Sequence, residues 1–404
     1  MSTLKVDAIR HNSATSDPIT THSDGTASAK IIDVGGAQLS NRRINVNGAM
    51  TIAQKGTTAT GNADNGYPLV TDMVNYRRTG GWSGTTWTVS NIAQTPTTLS
   101  PFTNFTRWTQ AGTVQNAPND TSTKLQYGIE GQDMAHAMWG QSSAKPCTLS
   151  FYVRSSQTGT FCIWVANSNT NYNYIIEYTI SAANTWQRVT HTIPGPTSGT
   201  FNINNTAAIK FYFIIAGHAA SSTYGGGTKN VWNTSGRWTS NQSTAVSANA
   251  GASWDITGIQ FEVGDTATSF EYRSFGDELR RCQRYYYQVG GQRNDGGPDE
   301  PYGVILPHAM NASSIRVKGV LQHPVNMRAA PNVSGGGSGT AKMQSGDNTS
   351  SSVLVYQSTW TNSNSTKFTW IDFSPNSGTI SQVGYSGVLY ANNDTYHLKV
   401  SAEL

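Results

Sequence analysis

Residues 254–287 read WDITGIQFEVGDTATSFEYRSFGDELRRCQRYYY, and the pattern of this stretch changes in its middle. The first part alternates apolar and polar positions, with Ile256 and Phe261 apolar and Thr257 polar. Such alternation is typical of a strand that buries one face. A loop and a short charged segment follow, and the stretch closes on three tyrosines. It therefore predicts a strand, a loop and a short helix in direct succession.

The charged segment is the only part of the chain with a convincing helical pattern. Leu279, Cys282 and Tyr286 recur at the spacing i, i+3, i+7, which places them on one face of a helix. Acidic residues stand at the start of the segment, where the helix dipole favours negative charge. We therefore predict a helical connector over residues 275–290.

The composition favours strands over most of the chain. Only 12% of the 404 residues are charged, 36% are hydrophobic, and the chain contains 40 glycines and 18 tyrosines. This mixture suits strands and turns better than helices. Eight segments have the pattern of strands: TTWTVSNIAQ, KLQYGIE, CTLSFYVRSS, GTFCIWVANS, YNYIIEYTIS, TWQRVTHTIPG, AIKFYFIIAG and ITGIQFEV. Short strands with turn signals between them are the mark of a sandwich or jelly roll.

A second β-rich region follows the helical connector. Its predicted strands are YGVILPHAM, SIRVKGVL, SVLVYQS, KFTWIDFS and TYHLKVSAEL. The predicted fold class is therefore mostly β, with a jelly-roll β-sandwich, a short connector helix and a C-terminal β-sandwich. The predicted parts are an N-terminal segment at 1–45, a connecting segment at 46–66, a jelly-roll domain at 67–274, the helical connector at 275–290 and a C-terminal sandwich at 291–404.

Residues 1–66 hold little that could form a core, and such a segment buries too little surface to fold alone. The piece ITTHSDGTASAKII predicts a hairpin that turns at Asp24 and Gly25. The segment needs a partner surface and is therefore a candidate for assembly contacts.

The charge distribution argues against nucleic-acid and membrane partners. The formal net charge is +4, and the densest basic group is Arg280, Arg281 and Arg284. A nucleic-acid footprint needs a basic stripe, so we interpret these three arginines as a solvated helix face. No apolar run approaches the ~20 residues of a membrane span, and the opening residues MSTLKVDAIR show no secretory signal.

The three cysteines predict free thiols. Cys147 and Cys162 flank a predicted hairpin whose turn lies near Gln157. Cys162 then lies opposite Tyr152, which leaves Cys147 out of bonding register. Free, buried cysteines are the better interpretation, and they fit synthesis in a reducing cytoplasm.

The end of the quoted stretch resembles a junction found in tail-fibre and receptor-binding proteins of tailed bacteriophages. In that group a jelly roll closes with Gln-x-Glu-x-Gly and Thr-x-Phe-Glu-x-Arg, and a short Glu-Leu-x-x-Cys-Gln-Arg-Tyr-Tyr helix follows. The matching residues are Gln260, Glu262, Gly264, Thr268, Phe270, Glu271, Arg273, Glu278, Leu279, Cys282, Gln283, Arg284, Tyr285 and Tyr286. Upstream, LSNRRINVNGAMTIAQKGT is similar to a segment common in the same proteins, and the opening LKVDAIRHNS is similar to virion-attachment segments of marine and cyanobacterial phage fibres.

This resemblance covers most of residues 1–290 and implies a structural virion protein of the phage tail, made in the cytoplasm of the bacterial host. It implies a homotrimer whose N-terminal segment at 1–45 attaches to other virion proteins, with Leu4, Val6 and Ile9 as candidate attachment residues. It also implies that the jelly roll at 67–274 is of the carbohydrate-binding-module type. It also implies adsorption to a host cell-surface glycan. A head fibre or capsid decoration protein built from the same modules is the alternative within the structural class.

The sequence contains no assembled catalytic motif, and we expect neither enzymatic activity nor a cofactor. It lacks Gly-x-Ser-x-Gly, His-Glu-x-x-His, Cys-x-x-Cys and a phosphate-binding glycine motif. A polysaccharide-cleaving tailspike, the alternative from another class, would use two carboxylates. The candidates are Glu130 and Asp133, or Asp295, Asp299 and Glu300, all in loops where solvated turn residues are the simpler interpretation.

Glycan binding is the more plausible chemistry, because sugars are held by aromatic faces and neutral hydrogen bonds. An insertion at 218–251 interrupts the strands and carries Tyr224, Trp232 and Trp238 among small polar residues. These three are the candidate glycan contacts, and packing within the loop or against a trimer neighbour is an equally good interpretation. Four tryptophans on or beside strands are assigned to the core: Trp139, Trp164, Trp186 and Trp254.

Calcium occurs in many carbohydrate-binding jelly rolls, and Asp255 and Glu262 are the candidate ligands, although no spacing requires a metal.

Geometry favours the C-terminal sandwich as the receptor-binding part. A fibre fixed at its N-terminus presents residues 302–404 farthest from the particle. We therefore expect primary contact there, with the insertion as a possible lateral site.

Overall fold

The structure is a computed structural model that describes residues 8–9, 19–21, 27–29, 41–62, 70–79, 85–95, 99–114, 122–217, 223–240, 244–290, 308–310, 316–336, 341–345, 351–359, 365–375, 387–391 and 397–404. The chain forms two β-sandwiches joined by a short helix, as the sequence predicts.

Fourteen strands precede the helix in the described part of the chain. They are β1 (Ala8–Ile9), β2 (Ile19–Thr21), β3 (Ala27–Ala29), β4 (Thr58–Asn62), β5 (Val74–Thr79), β6 (Thr85–Ala93), β7 (Asn104–Gly112), β8 (Ser122–Glu130), β9 (Cys147–Ser155), β10 (Gly159–Asn167), β11 (Asn173–Ile180), β12 (Gln187–Ile193), β13 (Ala207–Gly217) and β14 (Ser253–Val263). Helix α1 (Gly131–Met134) and two 3₁₀ turns at Ala135–Ala137 and Val246–Ala248 lie between them.

The jelly roll consists of two antiparallel sheets that face each other. One has the order β11-β10-β13-β8-β5 and the other the order β12-β9-β14-β7-β6-β4. Alternate residues of each strand point inward, so the two inner faces share one core. Trp87, Trp108 and Trp254 are fully buried in it, and the Trp254 indole nitrogen donates to the Tyr178 hydroxyl at 3.1 Å.

The predicted hairpin between the first two cysteines is wrong. Strand β9 pairs with β12 and β14, whereas β10 pairs with β11 and β13, so the chain crosses from one sheet to the other between Ser155 and Gly159. The chain does turn near Gln157, but the turn connects the two sheets and does not join neighbouring strands of one sheet. The thiols are free and buried, as predicted.

Residues 44–48 lie beside the second half of β14, beyond the residues of that strand that pair with β7. The Ile44 amide donates to the Phe261 carbonyl, and the Ile259 amide donates to the Gly48 carbonyl, both at 2.9 Å. The Asn45 side chain closes the gap at a bulge in β14, where it bonds the Ile259 carbonyl and the Phe261 amide at 2.8 Å each. The end of the segment predicted at 1–45 and the start of the connecting segment predicted at 46–66 therefore pack with the jelly roll.

The helix is α2 (Phe275–Gln283), and it is shorter than predicted. Ser274 caps its first turn by accepting from the Asp277 amide at 3.2 Å. Its buried face is formed by Glu278 and Cys282. Tyr286, which we placed on the helix, begins the next strand, because the tyrosine triplet is buried in sheet pairing.

The C-terminal sandwich also has two antiparallel sheets. Its strands are β15 (Tyr286–Gly290), β16 (His308–Met310), β17 (Arg316–Gln322), β18 (Asn332–Gly336), β19 (Ala341–Ser345), β20 (Ser351–Thr359), β21 (Phe368–Pro375), β22 (Gly387–Ala391) and β23 (His397–Ser401). The sheets have the orders β15-β23-β18 and β16-β17-β21-β20-β19-β22. Leu321, Ile371 and Leu398 are among the buried residues.

The N-terminal strands β1, β2 and β3 form a small antiparallel sheet. Thr21 of β2 pairs with Ala27 of β3, which confirms an antiparallel pair on either side of the predicted turn, and Asp24 and Gly25 of that turn lie outside the described residues. Of the candidate attachment residues, Ile9 ends β1, and Leu4 and Val6 lie outside the described residues.

The longest helix in the described ranges has nine residues, which is too short to cross a membrane.

Candidate functional site

The insertion folds onto the outer face of the five-stranded sheet. Trp164, Tyr212 and Ile214 point away from the jelly-roll core and form a second apolar cluster on that face. Trp238 of the insertion packs against this cluster, with its ring 5.4 Å from that of Trp164. Backbone bonds from Trp238 and Thr239 to the Tyr224 carbonyl close the insertion into a compact loop.

Tyr224 and Trp238 form a stacked pair above Lys124. Their ring centroids are 3.5 Å apart at an interplanar angle of 11°. The Lys124 ammonium lies 3.3 Å from the Trp238 centroid, and it must occupy the ring face that Tyr224 leaves open. Burial and the neighbouring Arg77 hold the pKa of Lys124 well below its usual range. Both faces of Trp238 are therefore covered, and Tyr224 is the outermost ring of the stack.

Trp232 belongs to a different cluster. It stacks on Tyr172 at 5.4 Å and 7°, meets the edge of Trp139 at 5.3 Å, and donates from its indole nitrogen to the Pro194 carbonyl at 2.8 Å. The structure therefore brings together Tyr224 and Trp238 but not Trp232, and it packs both tryptophans against the jelly roll.

Two of the four tryptophans assigned to the core lie in it. Trp139 and Trp254 are buried in the jelly-roll core, as predicted, whereas Trp164 is buried outside that core, in the apolar cluster under the insertion. Trp186 is only half-buried on the outer face of the six-stranded sheet, where the Arg154 guanidinium lies 4.6 Å from its centroid.

Two exposed aromatic residues stand on the C-terminal sandwich. Phe368 and Trp370 are 38% and 40% exposed and lie two positions apart on β21, so their side chains share one face. Their partners on β17 are Gln322 and Val320, and β20 pairs with β21 only from Ile371 to Pro375. Thr369 between them points into the sandwich, with its hydroxyl 3.1 Å from His323 Nε2. We name Phe368 and Trp370 the aromatic strip.

The sequence analysis did not identify the aromatic strip. Its signal was present in KFTWIDFS, where Phe368 and Trp370 alternate with Thr369 and Ile371. Because the opposite face of this strand is apolar as well, the pattern alone does not show which face is buried.

Of the candidate catalytic carboxylates, Glu130 is buried and fully engaged. Arg284 donates to both of its oxygens, at 2.6 and 3.0 Å, and the Tyr285 hydroxyl donates to it at 2.6 Å. Burial and the nearby Glu130 raise the pKa of Asp133. Asp295, Asp299 and Glu300 lie outside the described residues.

The candidate calcium ligands also have protein partners. Asp255 bonds Arg107 and Arg154, and Glu262 accepts from the backbone amide and hydroxyl of Thr268. In the part of the chain that the structure describes, no three His, Cys, Asp or Glu side chains converge as a metal site would require.

Lys55 and Glu403 form a buried ion pair between the two sandwiches. The ammonium also lies 4.5 Å from the Tyr286 ring centroid. Burial raises the pKa of Glu403 from its ordinary value of 4.5 to about 7, against the opposing effect of Lys55.

We expect Glu403 to make stability pH-dependent. Because its pKa is higher in the folded than in the unfolded protein, the stability it contributes is present below pH 4.5 and is lost as the pH rises towards 7. The linkage free energy is about 3 kcal/mol. Urea unfolding of the wild type and of Glu403→Gln at several pH values measures this effect. The difference between their free energies of unfolding should change across this pH window. The exposed Asp265→Asn variant should keep the wild-type profile, and a parallel Glu403→Gln profile would contradict the assignment.

No family model matches the sequence, and no curated protein matches it. Among solved structures, the chain is similar to the enzymatically active domain of tailspike protein 4 from bacteriophage CBA120, with 12% identity and a TM-score of 0.29 over 55% of this chain and 21% of that one. It is similar to a protein designated CBM4, with 9% identity and a TM-score of 0.27 over 54% and 97%. It is also similar to a family 11 carbohydrate-binding module from Clostridium thermocellum in complex with a mixed-linked tetrasaccharide, with 12% identity and a TM-score of 0.25 over 48% and 91%. The chain thus spans about a fifth of the tailspike chain, and TM-scores this low establish neither a family nor a ligand.

Proposed function

We propose that this chain is a phage tail-fibre protein that recognises a host-surface glycan and makes primary contact through the aromatic strip. The exposure of Phe368 and Trp370 on one face of β21 carries this proposal. Large apolar side chains that remain exposed side by side in a sheet favour an interaction surface. Residues 302–404 are also the part that an N-terminally anchored fibre would hold farthest from the particle.

The chemistry around the strip fits a neutral sugar better than a protein partner. An aromatic ring offers a flat apolar face on which the C–H groups of a pyranose can stack. The exposed Gln322 stands across from Phe368 and supplies an amide donor and acceptor for sugar hydroxyls. Two rings form a patch far smaller than the ~800 Å² per partner of a stable protein interface.

The proposal includes assembly as a homotrimer attached to the virion through residues 1–45. The sequence resemblance supports this part. Weak single-sugar contacts would then be multiplied by several binding sites on each particle. The head fibre or capsid decoration protein remains the structural alternative, and a map of the virion would distinguish the two locations.

We also propose that the chain has no catalytic activity. The burial of Glu130 and its bonds to Arg284 and Tyr285 support this, because a glycosidase acid or nucleophile must reach the substrate. Release of reducing sugar from a bound polysaccharide would identify the tailspike alternative.

Replacing both strip residues by alanine should abolish most glycan binding. We expect Phe368→Ala/Trp370→Ala to lower the binding of labelled protein on an array of bacterial surface polysaccharides by tenfold or more, because each stacking contact contributes about 1 kcal/mol. The matched control is Phe275→Ala, which removes an aromatic side chain that is 65% exposed on the helix. Circular dichroism and the melting temperature should be unchanged in all variants.

A glycan that binds the wild type and the strip variant equally would refute the strip as the contact surface. If Tyr224→Ala then abolishes binding, the insertion is the receptor site. A strip variant that changes only the oligomeric state would show instead that the strip packs against a neighbouring copy.

A further inference from the structure

A cleft of about 340 Å³ lies between α2 and residues 325–326 at the junction of the sandwiches. Four arginines line it: Arg273, Arg280, Arg281 and Arg284. Asp277 is the single carboxylate among the described lining residues, and the Ser274 hydroxyl already donates to it at 2.8 Å. We name this cleft the arginine cleft.

The positive charge of the arginine cleft is only partly balanced by the protein. Arg284 is bound to Glu130, and Arg273 lies 3.7 Å from Glu278. Arg280 and Arg281 are exposed, and within the described ranges neither has a carboxylate at ion-pair distance. The sequence predicted that these arginines form a solvated helix face. In the structure they also line a concave surface.

Arg273 is the deepest of the four and has an unfilled donor. Its side chain is 10% exposed, and its Nε is buried without a hydrogen-bond partner in the described structure. Burial, followed by repulsion from Arg43 and Arg281, lowers the pKa of Arg273 to about 10. An anion in the cleft would stabilise the charged form of Arg273 and raise this pKa.

The helix spacing adds further repulsion. Arg280 and Arg284 are four residues apart and Arg281 and Arg284 are three apart, so these side chains are neighbours on the helix surface. Like charges at such spacings repel each other and destabilise a helix. A bound anion would convert this repulsion into a favourable arrangement.

We propose that the arginine cleft binds the anionic group of an acidic polysaccharide, either the carboxylate of a uronic acid or a phosphate. Guanidinium groups match both anions, because their paired N–H donors fit two oxygens at once. The inference rests on the proposed glycan recognition and adds a second subsite with a different chemistry. Nucleic acid is the weaker occupant, since two free arginines do not form the basic stripe that a phosphate backbone needs.

The test is calorimetric titration of the full chain with three probes at low salt: pentagalacturonate, inorganic phosphate and neutral maltopentaose. We expect pentagalacturonate or phosphate to bind, and Arg280→Gln/Arg281→Gln to weaken that binding by tenfold or more. The control Lys145→Gln/Lys367→Gln removes the same charge from two exposed lysines elsewhere and should change the affinity less than twofold. Raising the salt from 20 to 200 mM should weaken the binding severalfold.

The two anionic probes distinguish the sources. Preference for pentagalacturonate supports a uronic acid, and preference for phosphate supports a phosphorylated glycan. Equal loss in the arginine and lysine variants would overturn the proposal, as would the absence of binding to both anions. Arginine-dependent binding of a 20-nucleotide single strand tighter than both anions would overturn it in favour of nucleic acid.

The same variants separate this inference from the proposed function. Phe368→Ala/Trp370→Ala should leave pentagalacturonate or phosphate binding intact if the cleft is an independent subsite. If the strip variant fails to affect any glycan while the arginine variant abolishes anion binding, the aromatic strip is refuted and the arginine cleft stands.

Discussion

Glu278→Ala is expected to destabilise the protein by about 3–5 kcal/mol, because it leaves a buried arginine without its counter-charge. Arg43 is 1% exposed and donates to Glu278 Oε2. The Asn47 amide donates to the other oxygen at 2.5 Å, and Arg273 approaches that oxygen at 3.7 Å. One carboxylate on α2 thus stabilises three groups: Asn47 belongs to residues 44–48 beside β14, Arg43 directly precedes them, and Arg273 precedes the helix.

Asp277→Ala is the matched control for this substitution. Asp277 precedes Glu278 on the helix, is exposed, and bonds only the Ser274 hydroxyl in the described structure, so we expect a loss of about 1 kcal/mol or less. Urea unfolding followed by tryptophan fluorescence measures both values.

A double variant, Arg43→Met/Glu278→Met, removes both charges. It should recover part of the stability, since the paired apolar replacement leaves no Arg43 charge without its partner, while the Asn47 amide and Arg273 still lose the carboxylate. If Glu278→Ala costs no more than Asp277→Ala, the buried pair does not hold the junction together.

This network also explains the residues that carry the resemblance to tail fibres. The Arg43 amide donates to Glu271, the Glu271 amide donates to the Gln260 side chain, and Arg273 donates to the Asn45 carbonyl. The motif thus describes how the N-terminal segment, the last jelly-roll strand and the helix fasten to one another. Because the motif residues hold the junction together, the motif indicates a shared architecture and does not identify a receptor.

All eight strands predicted for the jelly roll are present, as β6 and β8 to β14, because their signals are local, whereas β4, β5 and β7 were not predicted. In β6, Trp87 and Val89 alternate with Thr88 and Ser90, and the first four odd positions of TTWTVSNIA are buried. The partition of strands between two sheets was not predictable in this way. A turn near Gln157 is compatible with a hairpin and with a crossing, and the choice depends on β13 and β14, some 50 to 100 residues away.

The packing of the insertion's aromatic residues against the jelly roll was also not predictable from the sequence. A loop rich in glycine, serine and asparagine suggests exposure, and Trp232 and Trp238 were therefore candidate contacts. Their rings are covered by Tyr172 and Lys124, which come from elsewhere in the chain. Alanine at either tryptophan would disturb the loop itself, so a loss of adsorption in such variants would not identify a receptor contact.

The largest effect of a single added carbon is expected at Gly48. A Cβ there would lie 2.0 Å from the Ile259 carbonyl oxygen and 2.9 Å from Asn45 Nδ2. The first of these neighbours is backbone at the β14 bulge and cannot rotate away. The segment would have to move outward and lose its bonds to β14, including the one from the Ile259 amide to Gly48.

We therefore expect Gly48→Ala to destabilise the protein by about 3 kcal/mol or more, measured by urea unfolding. Gly276→Ala is the control, because nothing lies within 4 Å of its Cβ position and the residue is in α2. Alanine favours a helix over glycine, so this variant should be as stable as the wild type or up to about 1 kcal/mol more stable. If alanine lowers the free energy of unfolding at residue 48 but not at residue 276, the loss comes from the close approach of residue 48 to β14. A Gly48→Ala protein with wild-type stability would show that residues 44–48 do not rest against that strand.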